Sequence, residues 1–241
     1  MHSIQHIHPE QMLFLDVETV PQFATYSQLP QAWQDHWNYK AGFLAKEEET
    51  PESLYQRAGI YAEFGKIVCI SVGCLQQEAK GEQQLFLRSF YGHDEKAILQ
   101  AFAEVVHKWG KRSQYLCGHN IREFDVPFIC RRMLVNQLAL PELLDLSGAK
   151  PWEVRHVDTL QYWKFGDHKH FTSLRLLAEL FGIPSPKDDI DGSMVAETYY
   201  GQGDVERIAR YCEKDVVTVV RLVQSMRSEM PIADDHIVHK N

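Results

Sequence analysis

The segment LFLDVETVP at positions 13–21 constrains this chain more than any other, because it places two carboxylates, Asp16 and Glu18, inside an apolar run that ends at Pro21. A run of this kind reads as a strand. Side chains on a strand alternate between faces, so residues two apart share a face and these acids lie side by side. Neighbouring like charges repel, and burial without compensation drives each toward its neutral form. A divalent cation removes the conflict, since carboxylate oxygens suit hard ions such as Mg²⁺ and Mn²⁺. A strand end that reaches water removes it too, by hydration. D-x-E is short enough to recur by chance, so any further ligands must be found elsewhere in the chain.

The surroundings of that strand read as mixed α/β. KIVCISVGCL (66–75) and EQQLFLRSF (82–90) are two more strands, joined by a hairpin connection that contains Gly81. A helix follows from Asp94 to Trp109, with Ile98, Leu99, Phe102, Val105 and Val106 at helical spacing. QYLCGHN (114–120) is a short strand running into a loop, 126–138 is helical, and EVRHVDTLQ (153–161) contains another strand. Helices are expected in 171–182, 192–201 and 204–226, the last capped by Asp204. Three consecutive strands followed by alternating strands and helices predict a sheet with an antiparallel side and a parallel side. Between Pro21 and Gly65 lies a stretch rich in aromatics (Phe23, Tyr26, Trp33, Trp37, Tyr39, Phe43), too long for a structureless loop, which reads as a helical insertion at about 21–65. The chain, 1–241, is expected to be a single domain with that insertion.

Composition narrows the class. The hydrophobic fraction of 44% and charged fraction of 24% are those of a globular protein, and no apolar run approaches a membrane span. The start, MHSIQHIHPE, lacks the pattern of a signal peptide, and the five cysteines form no C-x-x-C pair and leave an odd one over. A cytoplasmic protein with reduced thiols is expected. The net charge of −8 argues against coating nucleic acid by bulk attraction, yet allows a local grip on one strand end. Arg131 with Arg132, and the segment KFGDHKHFTSLR (164–175), are either such grips or ordinary solvated surface.

Further acids recur at informative places. GHNIREFDVPF (118–128) puts Asn120 in a loop, Phe124 after it and Asp125 at a helix start, where an aspartate also has the plain role of satisfying free amides. YCEKD (211–215) sets Tyr211 and Asp215 one turn apart on the last long helix, on one face. Asp158 in HVDTL reads as a cap for the turn after its strand rather than as a ligand.

D-x-E, N-x-x-x-F-D and Y-x-x-x-D in this order resemble the three motifs of the DEDD exonuclease superfamily, in its tyrosine branch. The histidine of the other branch would fall at Arg210. The resemblance covers about residues 12–226, and the stretches YQRAGIYAEFGKIVCISVG and HVDTLQYWKFGDHKHFTSLRLLAELFGIPSPKDDIDG are similar to stand-alone predicted exonucleases related to the proofreading domain of family-B DNA polymerases. It implies a ribonuclease H-like fold, a mixed five- or six-stranded sheet flanked by helices. With 26 residues after Asp215, no attached polymerase is expected. The insertion departs from polymerase proofreading domains, which leaves their substrate preference open for this chain.

The resemblance further implies two Mg²⁺ or Mn²⁺ ions held by Asp16, Glu18, Asp125 and Asp215, with Tyr211 orienting the attacking water, and 3′–5′ release of nucleoside 5′-monophosphates from single-stranded ends, DNA favoured over RNA. Thr19, Asn120, Phe124 and Lys187 are candidate substrate contacts, Phe124 by stacking; packing and loop hydrogen bonds are the competing roles. No membrane and no obligate protein partner is implied. Three alternatives stand: a non-catalytic nucleic-acid-binding module, an exoribonuclease on the same scaffold, and a small-molecule hydrolase with a mononuclear metal, for which His119 would be the nearby histidine.

Overall fold

The structure, a computed structural model, describes residues 4–77, 82–110, 114–150, 152–167, 171–184 and 190–240. Six strands form one mixed sheet in the order β5-β4-β1-β2-β3-β6. β1 (Met12–Pro21), β2 (Gly65–Gln77) and β3 (Gln83–Tyr91) are antiparallel neighbours, while β4 (Tyr115–Gly118) and β5 (His156–Asp158) continue in parallel from the other edge of β1. The expected antiparallel and parallel sides are therefore both present, and the described residues give the sheet six strands. β6 (Ile237–His239), beside β3, had no counterpart in the sequence reading, because three residues carry too little periodicity to register. The hairpin connection at Gly81 lies outside the described residues.

Both faces of the sheet are covered, and β1 shows how. Leu13, Leu15 and Val17 pack with α2 (Glu95–Gly110) and α3 (Asp125–Val135) through Leu99, Phe102, Ile129 and Met133. Met12 and Phe14 point the other way, into a cluster with Val216, Val219, Val220 and Val223 of α7 (Val205–Met226). A helix so rich in β-branched residues has modest intrinsic propensity, so packing holds it, at about 1.5–3 kcal/mol per fully buried aliphatic side chain. Its start is fixed by the expected cap: Asp204 accepts a hydrogen bond from the Arg207 amide at 3.0 Å.

Smaller elements differ from the sequence reading in detail. Asp158 caps a short helix, α4 (Thr159–Lys164), and α5 (Leu174–Leu180) falls where a helix was expected. The stretch at 192–201 is not one helix: α6 (Val195–Glu197) widens into a π-turn over Thr198–Gln202, which Gly203 closes at φ 68°. Residues 168–170 of the basic segment lie outside the described residues.

The insertion has its own small core. α1 (Gln31–Gly42) and a 3₁₀ turn at Tyr55–Ile60 enclose Leu29, Trp37, Ala41, Leu54, Tyr55 and Ala58. Trp37 is fully buried, meets Tyr55 and Phe64 edge-on at 5.7 and 5.2 Å, and donates its indole N–H to the Pro51 carbonyl at 2.7 Å. The seam to the sheet is polar: Gln22 N donates to Phe64 O, Thr19 Oγ1 to Gly59 O and Tyr200 Oη to Pro21 O. It is also close, since a Cβ on Gly65 would sit 2.6 Å from the Gly59 carbonyl oxygen. Arg132 overturns its reading as half of a basic surface patch. It is buried, forks onto both oxygens of Glu95 at 2.8 and 2.6 Å, and reaches the Ala62 carbonyl at 3.0 Å, so it joins α2, α3 and the insertion. Among the described residues no helix is long and apolar enough to cross a membrane.

Candidate active site

Asp16 and Glu18 continue the α7-facing side of β1 beyond Phe14, where apolar residues give way to acids. The N-terminal half of α7 brings Tyr211, Cys212 and Asp215 to the same place: the thiol of Cys212 donates to Asp16 Oδ2 at 3.4 Å and to the Asp16 carbonyl at 3.3 Å. Asp125 arrives from the opposite layer as the first residue of α3. The β1–β4 ladder ends at Phe14 and Cys117, and beyond it the Asp125 carboxylate accepts the Val17 amide as well as its own. Its capping role is thus only half of its work; the other half fixes it against the strand that carries Asp16 and Glu18.

The electrostatics are those of acids held together against repulsion. Glu18, on the strand, is 8% exposed and Asp125, on the helix, 4%, while Asp16 is half-buried, so the strand's acid pair does not open freely to solvent. Burial raises the Asp16 carboxyl well above the usual range, with Asp215 and Asp125 adding to it. Burial and then Asp16 and Asp215 do the same to Glu18. Asp125 is pushed up to about 7, mainly by burial. Tyr211 hydrogen-bonds Asp215, and burial plus the surrounding acids raises its hydroxyl far enough that it stays protonated at any working pH. Three carboxyls raised by burial and by Asp215 beside them, with oxygens of Asp16 and Glu18 and the sulfur of Cys212 all within 4.8 Å, fit a cation.

The loop bearing Asn120, Phe124 and Asp125 has one organiser. Asp158 accepts amides of Leu160 (2.9 Å) and Gln161 (3.2 Å), as a cap should, and also those of Asn120 (3.0 Å) and Arg122 (3.1 Å). Asn120 adopts φ 64°, and its carbonyl accepts the amides of Glu123 and Phe124. Its side-chain Oδ1 is buried with no hydrogen-bond partner among the described residues, an acceptor lacking a donor. The ring of Phe124 is half-buried against Phe128 at 5.6 Å. Thr19 is occupied at the insertion seam, where its hydroxyl donates to Gly59 O at 2.8 Å. Lys187 lies outside the described residues. His119 has both ring nitrogens engaged, with Thr159 Oγ1 and Thr172 O at 2.9 Å, which removes it as a metal ligand in this arrangement.

Three neighbours of the site had no local signal in the sequence. Cys212 and Cys69 are adjacent thiols beside Asp16, brought there by α7 and β2. Lys66 pairs with Val20, one step along the face that carries Glu18, and its ammonium lies over the rings of Tyr199 and Tyr200 at 4.8 and 5.4 Å. Only the register of β1 with β2 could have revealed it.

A nucleophile–base pair or a closed zinc cage does not describe this cluster; a carboxylate-lined centre at the junction of a sheet and two helices does. Residues 60–229 match the family described as "Predicted 3'-5' exonuclease related to the exonuclease domain of PolB", and the chain belongs to that family. Among solved structures it is similar to the family B DNA polymerase from the hyperthermophilic archaeon Pyrobaculum calidifontis, at 17% identity and a TM-score of 0.48, over 90% of this chain and 27% of the polymerase. The chain thus spans about a quarter of the length of that relative. No curated protein matches.

Proposed function

We propose that the chain is a metal-dependent 3′–5′ exonuclease that shortens single-stranded nucleic acid, DNA in preference to RNA, one nucleoside 5′-monophosphate at a time, in the cytoplasm. The observation that carries this reading is the meeting of Asp16, Glu18, Asp125 and Asp215 from three elements, where Asp16, Asp125 and Asp215 each raise the proton affinity of a neighbouring acid. A fold tolerates such crowding where a ligand relieves it.

Asp16, Glu18, Asp125 and Asp215 would hold two divalent ions, Mg²⁺ or Mn²⁺. Bound there, the ions supply Lewis acidity and neutralise charge on the phosphodiester. The chain's own residues supply position. Tyr211 keeps its proton and is hydrogen-bonded to Asp215, so its role is to orient water through its hydroxyl rather than to act as a base. The Val17 amide holds Asp125, and Asp158 holds the loop in front of it. Phe124 offers a half-buried ring for stacking on the terminal base, Asn120 Oδ1 an acceptor unmet among the described residues, and Lys66 a positive charge opposite Val20, two residues along β1 from Glu18.

The test is a 5′-labelled single strand of DNA, and one of RNA, incubated with Mn²⁺ and then Mg²⁺ beside Asp16→Ala. A ladder shortening from the 3′ end, absent in the variant and in chelator, is the expected result, with DNA cut faster. If both proteins leave every strand intact and calorimetry finds no Mn²⁺ bound to the wild type, the reading fails and a binding module takes its place.

A further inference from the structure

We propose that Asp16, Glu18 and Cys212 form a zinc-binding site, through which Zn²⁺ inhibits the enzyme by competing with the harder ions; the inhibitory half rests on the exonuclease reading, the binding half does not. The sulfur is the reason. A carboxylate pair alone has no preference for soft ions, whereas a thiolate strongly favours zinc over magnesium or manganese. Zinc holds sulfur at about 2.3 Å and oxygen at about 2.0–2.2 Å, so a tetrahedral ion shared by one of each requires the two atoms to be about 3.6 Å apart. Cys212 Sγ and Asp16 Oδ2 are 3.4 Å apart, and the oxygens of Glu18 fall within the same 4.8 Å cluster. The two atoms are already joined through the thiol proton, so zinc would take the place of that proton, which leaves to solvent. Cys69, hydrogen-bonded to Cys212 and 3.6 Å from Ser71 Oγ, adds a second sulfur beside the first. The metal that exonuclease chemistry needs and the metal that would block it therefore share Asp16 and Glu18 but differ at Cys212.

The experiment uses the full chain stripped of metal, without nucleic acid. Cd²⁺, a spectroscopic stand-in for zinc, is titrated in while the ultraviolet thiolate-to-cadmium charge-transfer band is followed; Zn²⁺ and Mn²⁺ affinities are measured by calorimetry on wild type, Cys212→Ser and Cys69→Ser. The expected outcome is a one-equivalent band in wild type and Cys69→Ser, its absence in Cys212→Ser, a loss of zinc affinity in Cys212→Ser at least as large as the ~10–100-fold that loss of an outer-shell partner costs, and Mn²⁺ affinity within a few-fold in all three. No band in the wild type, which needs no variant to fold, overturns the proposal; so does equal zinc affinity in wild type and Cys212→Ser. The two readings fail separately. A band without strand shortening in Mn²⁺ keeps the zinc site and removes its inhibitory meaning, while a band with shortening that zinc cannot suppress keeps both the zinc site and the nuclease and overturns the inhibition.

Discussion

The carboxylate centre and the aromatic insertion meet at the same strand end, yet they are built on opposite terms. In the centre, buried acids repel, and α3, α7 and β1 hold them in place against that repulsion. In the insertion the buried contacts are apolar and aromatic, with Trp37 meeting Tyr55 and Phe64 edge-on. Removing a side chain should thus have opposite effects on stability in the two regions. One region is stable because of its residues, the other in spite of them.

Asp16→Asn probes that contrast most severely. Activity should fall at least about 10³-fold, as for loss of a principal charge-stabilising group, while the melting temperature in chelator rises because a like charge has gone. A lower melting temperature would mean that the acids stabilise the metal-free fold. Trp37→Ala should do the reverse, costing about 3–5 kcal/mol in denaturant unfolding with kcat retained in the folded fraction. Loss of kcat in step with stability would show that the insertion shapes the centre rather than merely adjoining it.

Smaller effects sharpen the picture. Tyr211→Phe should lower kcat by about 10²-fold with KM nearly unchanged, since the hydroxyl is assigned to water and not to the strand. Lys66→Met should act on KM instead, and reduce the salt slope of single-strand binding by about 0.7, the share of one phosphate. The smallest effect is on acid stability. Burial holds the His156 imidazole below its ordinary pKa, with Nε2 donating to Leu143 O at 2.9 Å and Nδ1 buried without a hydrogen-bond partner among the described residues. The unfolded chain then binds the proton more readily than the fold does, so this residue's contribution is complete above about pH 6.5 and fades as pH falls below it. His156→Gln should flatten that part of the stability profile, which thermal melts between pH 5 and 8 would measure.

What the sequence made legible was whatever local chemistry encodes. The three long strands are legible as short apolar runs, β-branched in β1 and β2 and Leu/Phe-rich in β3, α7 through its amphipathic spacing and its Asp204 cap, and the candidate acids through three ordered motifs. What stayed hidden depends on tertiary register. Arg132 looked like surface until Glu95 was seen across from it, 37 residues away in sequence. Asp158 looked like the cap of a single turn, and its two further amides come from a loop 36 and 38 residues earlier. Cys212 and Lys66 carry no pattern of their own, because a residue's distance from a carboxylate on another strand is not written in its neighbours.

The irregularity in the β1–β2 ladder has a consequence for how such a chain can change over generations. Glu18 pairs with Cys69 but Thr19 with Ile67, so Val68 is the extra residue and the ladder is offset from there to the insertion. Length changes inside the connection between Pro21 and Gly65 leave the paired register, and with it the face that carries Asp16 and Glu18, unchanged. The insertion is therefore free to drift, lengthen or acquire new contacts while the acids keep their orientation. Novelty in this part of the protein is to be sought in the insertion, and constancy in the strand residues that lead into it.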